Sequence, residues 1–159
     1  MLIRLENFEE ARMHLNRALD RRESGGHGAE QWNIFEILSR LETAVGDITA
    51  AASARERAIN MYLAYRRSGG ESYTPGARLC GDVMQAFRCG TKNMARATLD
   101  QVEAQSPPAP ALALVSALRK VLRGESDPAL AINDELSIRD AVELQLLIGG
   151  LQDIGEPIR

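Results

Sequence analysis

Apolar positions recur along this chain at helical spacing and almost nowhere in the alternation of a strand. Between Asn7 and Arg22, Phe8, Ala11, Leu15, Ala18 and Leu19 form one stripe on a helix. Asn7 is a plausible cap, and Glu10 stands where a capping box places its acid. From Gln31 to Val45 the stripe is Ile34, Phe35, Leu38, Leu41 and Val45. Gly46-Asp47 breaks it, and Thr49 to Arg66 resumes with Ala51, Ala54, Ala58, Ile59 and Tyr62. Gly46 suits the left-handed position after a helix and Asp47 suits the next cap. So short a connection predicts two antiparallel, adjacent helices.

The plan returns further along. Ala77 to Cys89 carries Leu79, Cys80, Val83, Met84 and Phe87; Gly90 interrupts, and Asn93 to Ala104 follows with Ala95, Leu99 and Val102. Ala111 to Leu122 ends at Gly124, and a return helix runs from Ser137 to Ile148, with Ser137 and Asp140 in capping-box form. The longer link between them holds Asp127-Pro128, which predicts a short helical turn capped by Asp127. Clusters of Gly and Pro at 24–28, 68–76 and 106–110 punctuate these segments. The expected architecture is therefore all-α, about seven helices in one domain over 1–159: a half repeat at 7–22 and hairpins at 31–66, 77–104 and 111–148.

Ala11, Leu15, Ala18 and Leu19 align with Ala51, Arg55, Ala58 and Ile59 at an offset of 40 residues, and Asn7 then falls on Asp47. Phe35, Leu38, Ser39, Gly46, Ala51 and Ala58 resemble a tetratricopeptide (TPR) repeat: an aromatic, a leucine and a small residue on the first helix, a closing glycine, and two alanines seven apart on the second. The likeness is good over 31–66, partial over 7–22 and weak after Ala77. Arg55 stands where an aromatic is usual, and the spacing exceeds the family's ~34 residues. The stretches Ala64–Ser72 and Arg123–Ala131 are similar to helical-repeat tails of large bacterial signalling proteins. The TPR resemblance implies a short right-handed solenoid whose first helices line a groove for a partner protein or peptide.

On that alignment Asn33, Glu36, Arg40 and Thr43 face the groove, followed by Cys80, Met84, Phe87 and Arg88, a surface grading from polar to apolar. A peptide with a charged end and an apolar anchor suits it, with Arg40 pairing a carboxylate. Glu36 and Arg40 also suit, and better, a simple surface pair four residues apart, and Met84 and Phe87 suit inter-repeat core better than ligand contact. The first helix resembles the second half of a hairpin without its mate, so Phe8, Leu15 and Leu19 predict a self-association face and a homodimer.

Composition narrows the chemistry. Hydrophobic residues make up 45% of the 159 positions and charged residues 26%, ordinary for a globular chain, while aromatics at 4% leave the core to aliphatic side chains. The net charge of −3 argues against nucleic acid as partner. No run is long and apolar enough for a membrane span, and MLIRLENFEE is no signal peptide, which points to the cytoplasm. Cys80 and Cys89, nine apart on one helix, are rotated by ~900° and fall on opposite faces, so they neither bridge nor share a metal. His14 and His27 lack ligand partners at metal spacing. Gly25–Gly28 follows a helix and lacks the Lys-Ser/Thr end of a phosphate loop. Glu36, Glu42 and Glu56 read as solvated faces, and Arg66-Arg67 as a helix end complementing its dipole. The sequence thus calls for no enzyme, cofactor or metal. It favours a partner-binding module, with ligand sensing or oligomerisation as the alternative; a pocket lined by the third and fourth segments would favour the sensor.

Overall fold

The computed structural model describes residues 7–23 and 31–154. Over these it is helical, with α1 Phe8–Glu23, α2 Gln31–Val45, α3 Ile48–Arg67, α4 Pro75–Cys89, α5 Lys92–Ala104, α6 Ala109–Leu122, a 3-10 turn Pro128–Ala131, and α7 Ile138–Asp153. None of the described helices is long and apolar enough to cross a membrane. Residues 24–30, including the Gly25–Gly28 stretch and His27, lie outside the described residues. The chain divides into two compact units, Met1–Gly70 and Glu71–Arg159.

In the first unit the Gly46-Asp47 connection behaves as its residues require. Gly46 takes φ +89°, a region closed to most side chains. The Asp47 carboxylate accepts the Ala50 N–H at 2.9 Å, and α3 begins there. The helices α2 and α3 pack antiparallel through small residues. Ala51, Ala54 and Ala58 are buried, and Ser39 Oγ donates to the Ala51 carbonyl at 2.9 Å. Farther along the pair, Trp32 meets Tyr62 at a centroid distance of 4.8 Å, and the Arg57 guanidinium covers the Phe35 ring at 5.1 Å.

Helix α1 packs on α2, and its main polar tie runs through Glu42. Arg12 forks onto that carboxylate, with Nε 2.9 Å from Oε1 and an Nη 2.7 Å from Oε2. Its other Nη reaches Glu9 at 2.8 Å. The two carboxylates hold the Arg12 guanidinium pKa above its ordinary value, the Glu42 hydrogen bond most of all. Glu42 is therefore not part of a solvated face: it is 5% exposed. Phe8, Leu15 and Leu19 are half-buried and Ala11 is buried, so the stripe on α1 is partly used within its own unit.

The second unit departs from the repeat plan. Its helices start where Pro, Thr and Ser fit a first turn. Thr74 Oγ1 accepts the Ala77 N–H ahead of α4, with Pro75 at the first position, and Ser137 Oγ accepts the Asp140 N–H ahead of α7, each at 3.1 Å. Between α4 and α5, Gly90 takes φ +70° and closes an antiparallel pair. The direction of α7 is the surprise. A side chain at Gly76, in the first turn of α4, would overlap the Asp140 carboxylate in the first turn of α7 and come within 3.1 Å of Leu114 Cδ2 on α6. At the other end, a methyl group on Gly150 of α7 would lie 2.7 Å from Met84 Cε of α4. Gln152 Nε2 donates to the Ser126 carbonyl, just past the end of α6, at 3.4 Å.

The helices α4, α6 and α7 therefore run parallel, and 111–148 is not an antiparallel hairpin. The link after α6 holds a capped turn, with Asp127 accepting the Ala129 N–H at 2.8 Å. Its Ala129, Leu130, Asn133 and Glu135 lie along Ala113, Ala117 and Lys120 of α6. The chain thus retraces the ~20 Å of a fourteen-residue helix. Moreover, α4 packs more extensively on α7 than on any other helix. An open stack of hairpins would leave the first and last helices apart, whereas this unit closes on itself. Leu114, Leu118, Val121, Leu136, Val142 and Leu144 form its innermost layer, each at most 2% exposed. That position explains why α6 and α7 are apolar nearly all round.

Candidate apolar cleft in the second unit

Three helix starts meeting at one end leave a gap between them. A cavity of about 640 Å³ opens there, within the size range of small-ligand sites. Its walls are Pro75 and Leu79 of α4, Pro108 just before α6, and Ala111 and Leu114 of α6, with Val102 and Gln105 closing it from the end of α5. The prolines are there for a structural reason. Each can begin a helix or precede one without losing a hydrogen bond, so the end where three helices begin is apolar and short of N–H donors. Polar groups sit among these walls: Arg78, Ser137, Arg139 and Asp140.

Asp140 is half-buried and committed to the wall, its carboxylate lying against Gly76 at the start of α4. Burial raises its pKa and Glu143 raises it further, while the Ser137 hydrogen bond and Arg139 act against them. Cys80, 4% exposed, faces the same helix contact, and burial with the nearby Glu143 and Asp140 charges pushes its thiol pKa well up. A thiol so placed is a packing group and not a nucleophile. Cys89 is exposed, as opposite faces require, and its sulfur accepts from Gln85 Nε2 at 3.2 Å. Among the described residues no three His, Cys, Asp or Glu side chains gather as a metal site.

The sequence-derived groove residues divide between the units. Asn33, Glu36, Arg40 and Thr43 lie on α2 in the first unit, the first two half-buried and the last two exposed. They flank Ile37, which is 41% exposed, so this stripe is the face of α2 that α1 and α3 leave uncovered. Thr43 Oγ1 is occupied, donating to the Ser39 carbonyl at 2.8 Å. In the second unit Cys80 and Phe87 are buried, Met84 is half-buried and Arg88 is exposed. Cys80 and Phe87 accordingly line no open groove. The repeat alignment left that side of α4 free, and α7 occupies it. Phe87 is further covered by Lys92, whose Nζ stands 4.1 Å from the ring centroid. Arg66 donates to the Gly70 carbonyl beyond α3, as a residue closing a helix end would.

The cleft residues carried no signal of their own in the sequence. Ser137 read correctly as a helix start, whereas Thr74, Pro75 and Pro108 read only as turn residues ahead of helices beginning at Ala77 and Ala111. They cap or open α4 and precede α6, and their meeting depends on the direction of α7. No family model matches the chain, and no curated protein or solved structure matches it.

Proposed function

We propose that this chain is a non-catalytic binding module and that the cleft in its second unit is where it binds. What supports the reading is the cavity of about 640 Å³, walled by proline and aliphatic side chains and set beside a small number of polar groups, which is the make-up of a ligand site. The residues around it are poorly placed for chemistry: Asp140 is pressed against Gly76, and the Cys80 thiol is shut inside the helix contact. A cleft between the third and fourth segments favours a sensing role over an open peptide groove. The test is a cleft-filling substitution, Ala111→Trp, on the full chain. Neutral apolar probes such as 1-octanol are expected to shift the backbone amide resonances of Leu79, Ala111 and Leu114, and Ala111→Trp is expected to abolish those shifts while far-UV circular dichroism stays unchanged. Shifts scattered over both units, equal in the variant, would refute the reading.

A second reading has its own observation. The uncovered stripe on α2, with Ile37 at its centre and Asn33, Glu36, Arg40 and Thr43 around it, is the partner-protein surface on this view. The Arg40→Glu, Ile37→Asp double variant is expected to lose any protein partner captured by the wild type.

A further inference from the structure

The polar groups of the cleft are not evenly signed. The Arg78 side chain makes no hydrogen bond or ion pair among the described residues, and Arg139 lines the cleft with it. The one acid of the lining, Asp140, is already set against the start of α4. Of the three helices that begin here, α4 and α7 are capped by Thr74 and Ser137, whereas no side chain caps α6, which follows Pro108. The start of α6 nonetheless offers an anion little, because Pro110 has no N–H and the Ala111 and Leu112 N–H groups bond the Pro108 carbonyl, so the positive charge of the lining is that of its arginines. In a chain whose net charge is −3, this cleft is lined by two arginines against one acid, among mostly apolar side chains.

We propose that the cleft takes a small amphipathic carboxylate of the medium-chain acyl type. Its apolar body lies between Leu79, Ala111 and Leu114, and its carboxylate meets Arg78. The inference rests on the cleft being the binding site, and it adds the chemistry of the occupant. Asp140 sets a condition on that chemistry. While ionised it repels the incoming carboxylate, with Glu143 adding to its charge from behind and Arg139 offsetting it, so an uncharged residue at 140 favours the ligand.

The experiment is a comparison of three probes that share one apolar chain, octanoate, 1-octanol and octylamine, titrated into the full chain by calorimetry with amide resonances read in parallel. Octanoate is expected to bind at least about tenfold more tightly than 1-octanol, with octylamine weakest, because a charge-assisted contact adds to the same apolar burial. Arg78→Gln is expected to bring octanoate down to the level of 1-octanol while leaving 1-octanol binding and the circular dichroism spectrum unchanged. Asp140→Asn is expected to tighten octanoate at neutral pH and leave 1-octanol unaffected. Equal binding of octanoate and 1-octanol, with shifts in the cleft, would overturn the carboxylate assignment and leave the cleft as the site. Absence of cleft shifts with all three probes would overturn both.

Discussion

Removing the Arg12 side chain isolates one interaction between α1 and α2. Glu42 is almost enclosed, its side chain 7% exposed, whereas that of Arg12 is 31% exposed. Fully buried pairs lose roughly 3–5 kcal/mol when one partner is removed, and exposed pairs carry roughly 0.2–1 kcal/mol. With one partner enclosed and the other near a third exposed, Arg12→Ala is expected to cost about 2 kcal/mol, mostly as the penalty of a buried carboxylate left alone. Glu42→Ala is expected to cost about 1 kcal/mol, because the stranded guanidinium keeps Glu9 and reaches water. The asymmetry follows from the burial and would not arise in a surface pair. Trp32 is the sole tryptophan and lies buried on α2 against Tyr62, so urea unfolding followed by its fluorescence reads the first unit directly. A double-mutant cycle with Glu42→Ala is expected to give a coupling of about 1–2 kcal/mol that persists at about 1 M salt, since enclosed pairs are screened little. A coupling below about 0.5 kcal/mol, or one that vanishes with salt, would refute the assignment.

Other consequences are as specific. Asp140 has a raised pKa in the folded chain, so its contribution is present below the ordinary carboxylate range and is lost as pH rises through the folded value; thermal melts of Asp140→Asn are expected to exceed wild type at neutral pH and to converge with it in acid. Gly76→Ala forces a methyl group into the Asp140 carboxylate and is expected to cost about 1–3 kcal/mol by calorimetry. Gly150→Ala meets only the flexible end of Met84 and gains helix propensity, so it is expected to lie within about 1 kcal/mol of neutral. In a thiol-labelling assay of the native chain, Cys89 is expected to react and Cys80 only on unfolding, giving one fast equivalent per chain; two fast equivalents would show that the α4–α7 contact opens readily.

What the sequence made legible was local. The stripe from Ile34 to Leu41 and the caps Asp47, Asp127 and Ser137 depend on interactions within a few residues, and a linear pattern contains those; Val45, at the end of the same stripe, is 44% exposed. Glu42 was misread for the opposite reason. Its surroundings on α2 are those of a solvated position, and only Arg12, thirty residues away, makes burial tolerable. The cleft failed to appear for a related cause. A longer link after α6 permits either direction for α7, and the choice is made by the packing of Val142, Leu144 and Ile148 against helices far away in sequence. That choice also removed Cys80 and Phe87 from any groove.

The parallel course of α7 also governs how the second unit can be assembled. In a repeat array each module contacts only its neighbours, folding can begin anywhere, and modules can be added or deleted. Here the apolar side of α4 waits for the last helix of the unit, so the contacts that matter most join the most distant parts of its chain, and such contacts slow folding. During synthesis α4, α5 and α6 emerge first, with Val83 and Phe87 uncovered until α7 has left the ribosome. Deleting α7, or splicing another hairpin ahead of it, would strand that side rather than shorten or lengthen a stack.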